Sequence, residues 1–244
     1  MGGPLILNLG CGTKTSPRCV NIDNSPLLRL KKNPWLRVVA TPFLSQAQRQ
    51  RLSQFPDGIV LHDLRHGVPA ATGSADAVYH CHLLEHLERW EAPPLFAEIH
   101  RVLKPGGIHR IAVPDLEKKV RRYLQHLLVC QGKPAEAATH DRYVASLYEQ
   151  SVRRDAASTQ GMGPWRRRLS NCAFGDARRR RETHQWMYDR TNLGHLLAQS
   201  GFVEVEVRAC GDSAIPGWSE LGLELNERGG EYKPSSFYIE ARRP

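Results

Sequence analysis

Short apolar runs alternate with segments of helical spacing along this 244-residue chain. The run Leu5-Ile6-Leu7-Asn8-Leu9 ends in Gly10-Cys11-Gly12 and predicts a buried strand feeding a glycine turn. Cys19-Val20-Asn21-Ile22-Asp23 predicts a second strand that ends on a carboxylate, and Gly58 to Asp63 a third that does the same. Ala75 to His80, Ile108 to Val113, Phe202 to Val207 and Phe237 to Ala241 predict four more. Between the strands, Phe43 to Phe55 is rich in Gln, Arg, Leu and Ala and reads as helix. Pro93 and Pro94 suit a helix start, Leu95, Ile99, Val102 and Leu103 follow at helical spacing, and Pro105-Gly106-Gly107 stops the run. Leu193, Leu196 and Leu197 predict a last helix, closed by Gly201. Strands alternating with helices imply βαβ units and a parallel sheet.

The stretch after Pro114 departs from this rhythm. Leu116, Val120, Tyr123, Leu124, Leu127 and Leu128 form one helical face, and a second helix is expected over Glu136 to Ala157. Ser158 to Arg181 is rich in Gly, Ser and Arg and is expected to be a long loop, a type of segment that is usually functional or disordered. Residues 116–182 are therefore expected to be a helical and Arg-rich insert within a single domain spanning 1–244. No internal repeat is evident.

Composition narrows the class without naming it. With 41% hydrophobic and 24% charged residues, the chain can bury one substantial core. No stretch approaches the roughly 18 apolar residues of a membrane span. Met1-Gly2-Gly3-Pro4 lacks the basic stretch and apolar run of a secretory signal, so the fold is expected to begin at once. The six cysteines (Cys11, Cys19, Cys81, Cys130, Cys172 and Cys210) stand singly and read as reduced thiols of a cytoplasmic protein. A net charge of +9 could attract nucleic acid, an anionic surface or an acidic substrate, but much of it sits in Arg166 to Arg168 and Arg178 to Arg181 and also fits a solvated loop.

Candidate chemistry clusters at the strand ends. Glycines after a buried strand let the backbone pass close to a ligand, although Gly-x-Gly alone also makes an ordinary tight turn. Asp23 and Asp63 end the next two strands, where ligands of open parallel sheets sit, and such a carboxylate can accept ribose hydroxyls or cap a helix. His82, Glu85 and His86 would share one helical face and could hold a divalent cation; the favoured reading is a structural or acid/base role. His184 stands beside Trp186 and Tyr188 as a substrate-wall base or a helix cap, and Asp115 as a substrate-orienting group or an N-cap.

The succession of these motifs resembles the class I S-adenosylmethionine-dependent methyltransferases, a broad group with small-molecule and glycan-type members. Leu7-Asn8-Leu9-Gly10-Cys11-Gly12 is similar to the group's first motif, Asn21-Ile22-Asp23 to its ribose-binding strand end and His62-Asp63-Leu64 to its adenine-contacting segment. Ser74 to Tyr79 with His82-Leu83-Leu84-Glu85-His86, then Arg101-Val102-Leu103-Lys104-Pro105-Gly106-Gly107, resemble the fourth strand and the turn before the fifth. His184 to Asp189 and Leu196 to Phe202 resemble the last helix-to-strand stretch. The likeness covers about residues 5 to 115 and 183 to 242. One feature departs from the group: only Thr13 to Val20 separate Gly12 from the strand ending at Asp23, so the first helix must be absent or a single turn.

The resemblance implies a Rossmann-like α/β fold, with a seven-stranded, mostly parallel sheet and helices on both faces. It implies S-adenosylmethionine as methyl donor, held by Asn8, Gly10, Cys11, Gly12, Asp23, Asp63, Leu64 and His80. Catalytic candidates are His82, His86, His184 and Asp115, with His82 favoured as base because it stands nearest the exit of the fourth strand. A divalent metal held by His82, Glu85 and His86 is the less favoured alternative. The expected acceptor is a hydroxyl of a small molecule or glycan. An RNA methyltransferase is the same-fold rival, although no RNA-binding module and no Asn/Asp-Pro-Pro-aromatic motif is present; a non-catalytic binding module is the rival of another class.

Overall fold

A computed structural model describes residues 3–151, 163, 165, 168 and 183–244. Most of the arginine-rich stretch expected as a loop lies outside the described residues, as does Cys172.

Seven strands form one sheet in the order β3-β2-β1-β4-β5-β7-β6. They are β1 (Ile6–Leu9), β2 (Cys19–Asp23), β3 (Val60–Leu61), β4 (Ala75–Cys81), β5 (Leu103–Pro114), β6 (Val203–Arg208) and β7 (Ser236–Arg242). The first five run parallel, and β7 is antiparallel to both β5 and β6. β1 is buried along its whole length, which explains why all but Asn8 of it is apolar: a central parallel strand has no solvent face. β5 starts earlier than its sequence pattern predicts, because Leu103 to Gly107 continue the strand through a register shift against β4 instead of ending the helix in a free turn.

Neighbouring positions on the strands feed opposite faces. Leu7, Leu9, Val78, Ile111 and Val113 join one core with the helices α4 (Ala92–Val102) and α7 (Arg190–Gln199). In α4, Ala92, Leu95, Phe96, Ile99 and Val102 are buried at helical spacing, and two prolines occupy the first turn. On the other face, Ile6, Ala77, Tyr79, Ile108 and Ala112 pack against Ile215, Trp218, Leu221 and Leu223. No helix lies between β1 and β2, as the short spacing requires, and the strap around Trp218 covers this face.

Fully buried Arg110 of β5 ties that strap down. Its guanidinium donates to both oxygens of Glu224 at 2.7 and 2.6 Å, to Glu240 at 2.7 Å, and to the carbonyls of Asp212 and Ala209 at 2.7 and 3.1 Å. Trp218 and Tyr238 flank it, with ring centroids 5.0 and 5.5 Å away.

Three helices separate β2 from β3: α1 (Pro26–Lys32), α2 (Pro34–Ala40) and α3 (Gln46–Gln54). Ser25 and Asn33 cap the first two, and a Ser45–Gln48 capping box starts the third. After β5 the chain enters α5 (Leu116–Gly132), capped by Asp115, then a 3-10 turn (Pro134–Thr139) and α6 (Asp141–Ser151). Among the described residues, no helix is long and apolar enough to cross a membrane.

Candidate active site

Strand order reverses between β1 and β4, and a cleft of about 1040 Å³ opens at their carboxyl ends. Its volume is at the upper end of small-molecule sites, enough for a nucleoside-sized molecule with a second one beside it.

The β1 turn forms the floor. Gly10 and Gly12 adopt left-handed backbone conformations, with φ of 60° and 54°. A Cβ on Gly10 would come within 2.8 Å of the Leu83 side chain, whereas one on Gly12 would meet only the tip of Arg51, at 3.9 Å. The turn thus presents bare backbone to the cleft. Asn8 braces it by donating to the Lys14 carbonyl (3.0 Å) and to Asn21 Oδ1 (2.9 Å). Cys11 is buried and close to Asp23, which pushes its thiol up to about 12. It packs the turn as a neutral group.

Asp23 accepts from the backbone N–H of Gly12 (2.9 Å) and of Ser25 (2.7 Å). Each of its oxygens keeps a second acceptor position. Asp63 is gripped by Arg65 through Nε (3.0 and 3.1 Å) and Nη2 (2.5 Å), and this pairing holds its carboxyl well below the usual range. Asn8, Gly10, Cys11, Gly12, Asp23, Asp63 and Leu64 all border the cleft. His80 does not. It is fully buried, 3.1 Å from His109, and burial pushes its imidazole down to about 4. Its alternation along β4 turns it into the core while Tyr79 and Cys81 border the cleft.

At the other end, His82, His86 and His184 meet around Glu85. The turn after β4 is a 3-10 turn (Leu84–His86), not the α-helix assumed for the His82, Glu85, His86 spacing. His82, with φ of 51°, has Nε2 hydrogen-bonded to Ser236 Oγ at 2.8 Å, and its Nδ1 faces Glu85 Oε1 at 3.2 Å. His86 Nδ1 lies 3.2 Å from the Thr183 carbonyl, which can only accept, so Nδ1 carries the proton and Nε2 keeps its lone pair. The His86 and His184 rings meet edge to face at 5.0 Å.

Glu85 is fully buried, yet neither oxygen makes an aligned hydrogen bond. Burial alone would raise its pKa; the contact with His82 and the nearby His86 and His184 outweigh that and hold it at about 2. The geometry also regroups the metal alternative. Glu85, His86 and His184 bring one ligand atom each within 4.8 Å of one another, and His82 is not part of that group. Asp115 does not border the cleft: it caps α5, accepting from Lys118 N–H at 2.8 Å.

Residues 7–111 match the family model described as a methyltransferase domain. The chain carries a class I S-adenosylmethionine-dependent methyltransferase domain. The methyltransferase is similar to several solved structures that span nearly all of it. One is a SAM-dependent methyltransferase from Archaeoglobus fulgidus, at 13% identity over 99% of this chain and 86% of that one, with a TM-score of 0.44. Another, from Mesorhizobium loti, is 19% identical over 99% and 92%, with a TM-score of 0.41. Human N-acetylserotonin methyltransferase, solved in complex with SAM, is 15% identical over 98% of this chain and 47% of its own, with a TM-score of 0.43. A comparison with curated proteins finds no match.

The methyl donor of this family is S-adenosylmethionine, and the cleft fits it: bare glycine backbone with a carboxylate at the end of the neighbouring strand. Sequence reasoning missed Trp90, Tyr232, Lys233 and Leu223, which also border the cleft. The last three reach it from the strap between β6 and β7, and no local spacing connects that segment with the β1 turn.

Proposed function

We propose that the protein methylates a hydroxyl of a small molecule or glycan, with S-adenosylmethionine as donor. The observation that carries this reading is Glu85: a buried, ionised carboxylate ringed by three imidazoles, His82, His86 and His184, which border the same cleft as the glycine turn. The donor supplies a methyl group already activated on a sulfonium, so the protein has two tasks: orienting the acceptor and taking its proton.

Asn8, Gly10, Cys11 and Gly12 would border the donor's methionine half, Asp23 its ribose, and Asp63 with Leu64 its adenine side. His86 takes over the base role expected of His82, because the His82 nitrogens face Ser236 and Glu85 while His86 retains a lone pair at Nε2. A proton taken there leaves a positive imidazole, and the Glu85 carboxylate stabilises that charge in a dry setting. His82 and Ser236 position Glu85, and His184 walls the acceptor side. Asp115 has no part in this chemistry. The free thiols Cys11, Cys19, Cys81, Cys130 and Cys210 support a reducing, cytoplasmic setting.

The test is methyl transfer from labelled donor to a panel of phenols, sugars and hydroxy acids, with amines and RNA as comparison arms. A hydroxyl acceptor is expected, and His86→Ala should lower its turnover by about 10²–10⁴-fold while leaving affinity for S-adenosylhomocysteine nearly unchanged. Transfer to RNA or amines alone would overturn the acceptor class. An His86→Ala enzyme at parental turnover would overturn the base.

A further inference from the structure

A second cluster of metal-ligand type lies on the helices after β5, and none of its members borders the methyltransferase cleft. His126 and Cys130 stand one turn apart on the same face of α5. His140 joins them from the junction of the 3-10 turn and α6. The two Nδ1 atoms are 2.9 Å apart, and Cys130 Sγ is 3.4 Å from Nδ1 of His126 and 4.0 Å from Nδ1 of His140. Tetrahedral zinc, with Zn–N near 2.0 Å and Zn–S near 2.3 Å, sets its ligand atoms roughly 3.3 Å (N to N) and roughly 3.6 Å (N to S) apart. The three separations agree with that triangle to within about half an ångström.

The tautomer of His126 gives a second, independent argument. Thr139 Oγ1 directs its one proton to the Glu136 carbonyl at 2.9 Å. It can then only accept from His126 Nε2, 3.2 Å away. Nε2 therefore carries the hydrogen, and Nδ1 offers its lone pair to the centre of the cluster. An acceptor that fixes the far N–H of a histidine is the usual outer support of a metal-ligating imidazole, and here the Thr139 hydroxyl fills that place. Tyr143 stacks on the His126 ring at 4.0 Å, and the Tyr123 ring lies 5.2 Å from that of His140, so both imidazoles are held in plane.

We propose that His126, Cys130 and His140 form a zinc site that clips α5 to the start of α6. One thiolate and two imidazoles favour zinc over magnesium or calcium, which prefer oxygen ligands. Binding releases the Cys130 thiol proton and moves the hydrogen between the two Nδ1 atoms to Nε2 of His140, which stays a neutral imidazole, so affinity falls as the solution is acidified. The fourth position takes water or another donor. His126 is buried, whereas Cys130 and His140 are half-buried, which leaves the site a route to solvent.

The test uses the full chain, stripped with chelator and titrated with zinc alone in competition with a chromophoric chelator. One tight zinc per chain is expected, along with a thiolate-to-metal charge-transfer band when cobalt replaces zinc. Cys130→Ser should abolish that band, and Thr139→Val, which removes only the outer support, should weaken zinc about 10–100-fold. His184→Ala should leave the stoichiometry at one, which separates this site from the Glu85 cluster. Circular dichroism of each variant reports that it is folded. Absence of zinc binding to the parent chain, or a cobalt band that persists in Cys130→Ser, overturns the proposal.

Discussion

Arg110→Met tests whether a buried ion network replaces the missing first helix in holding this fold together. The guanidinium makes five hydrogen bonds, three of them to Glu224 and Glu240, which are each only 3% exposed. Methionine keeps much of the packing against Trp218 and Tyr238 but leaves Glu224 buried without its cation and Glu240 with only Arg208, 3.4 Å away. Breaking a buried pair from one side costs about 3–5 kcal/mol. For a chain of this size each kcal/mol moves the melting temperature by about 2–4 °C, so the drop should be about 6–20 °C. Thermal denaturation followed by circular dichroism reads it. The triple variant Arg110→Met/Glu224→Gln/Glu240→Gln removes the stranded charges and should recover part of the loss, a coupling that packing alone would not produce. A single variant melting within about 2 °C of the parent, or a triple variant no better than the single, would refute the reasoning.

The remaining predictions concern other groups. His80 and His109 are both driven down by burial, His80 from 6.5 to about 4, so the unfolded chain binds their protons first. Stability is therefore full above pH 6.5 and falls as pH drops toward 4, with His80 accounting for about 3 kcal/mol; a chain with both replaced by leucine should lose that slope, and an unchanged slope in urea titrations would count against it. Asp115→Ala should cost about 1 kcal/mol through the lost α5 cap, with kcat/KM unchanged, whereas a large loss of turnover would return Asp115 to the active site. Cys11 and Cys81, each pushed up to about 12 by burial, should resist alkylation at pH 8 in the native chain and react once it is unfolded.

What could be read in the sequence was local or periodic. β1 and its glycine turn were legible because a central strand is apolar at nearly every position and the turn after it needs left-handed residues. The absence of a helix before Asp23 followed from chain length alone. The helices α1 and α2 went unread although Ser25-Pro26 and Asn33-Pro34 are start signals; the exposed Trp35, Val38 and Val39 hide the amphipathic pattern that would have drawn attention to them. The site suffered most where partners are distant in sequence. The engagement of His82 by Ser236 spans 154 positions, and the contacts of Arg110 with Glu224 and Glu240 span 114 and 130, beyond the reach of any periodicity. The resemblance implies His80 at the donor cleft, but one step of strand alternation puts it in the core.

Calorimetric titration with S-adenosylhomocysteine tests the central claim most directly, that the β1 turn and the Asp23 carboxylate form the donor site. The parent chain should bind one molecule. Gly10→Val should lose at least tenfold in affinity, because a side chain there meets Leu83 at 2.8 Å and must hold a left-handed backbone that costs about 1–3 kcal/mol. Melting curves of the variant establish that it remains folded during the titration. No binding to the parent at millimolar ligand, or equal affinity in a folded Gly10→Val chain, would contradict the account.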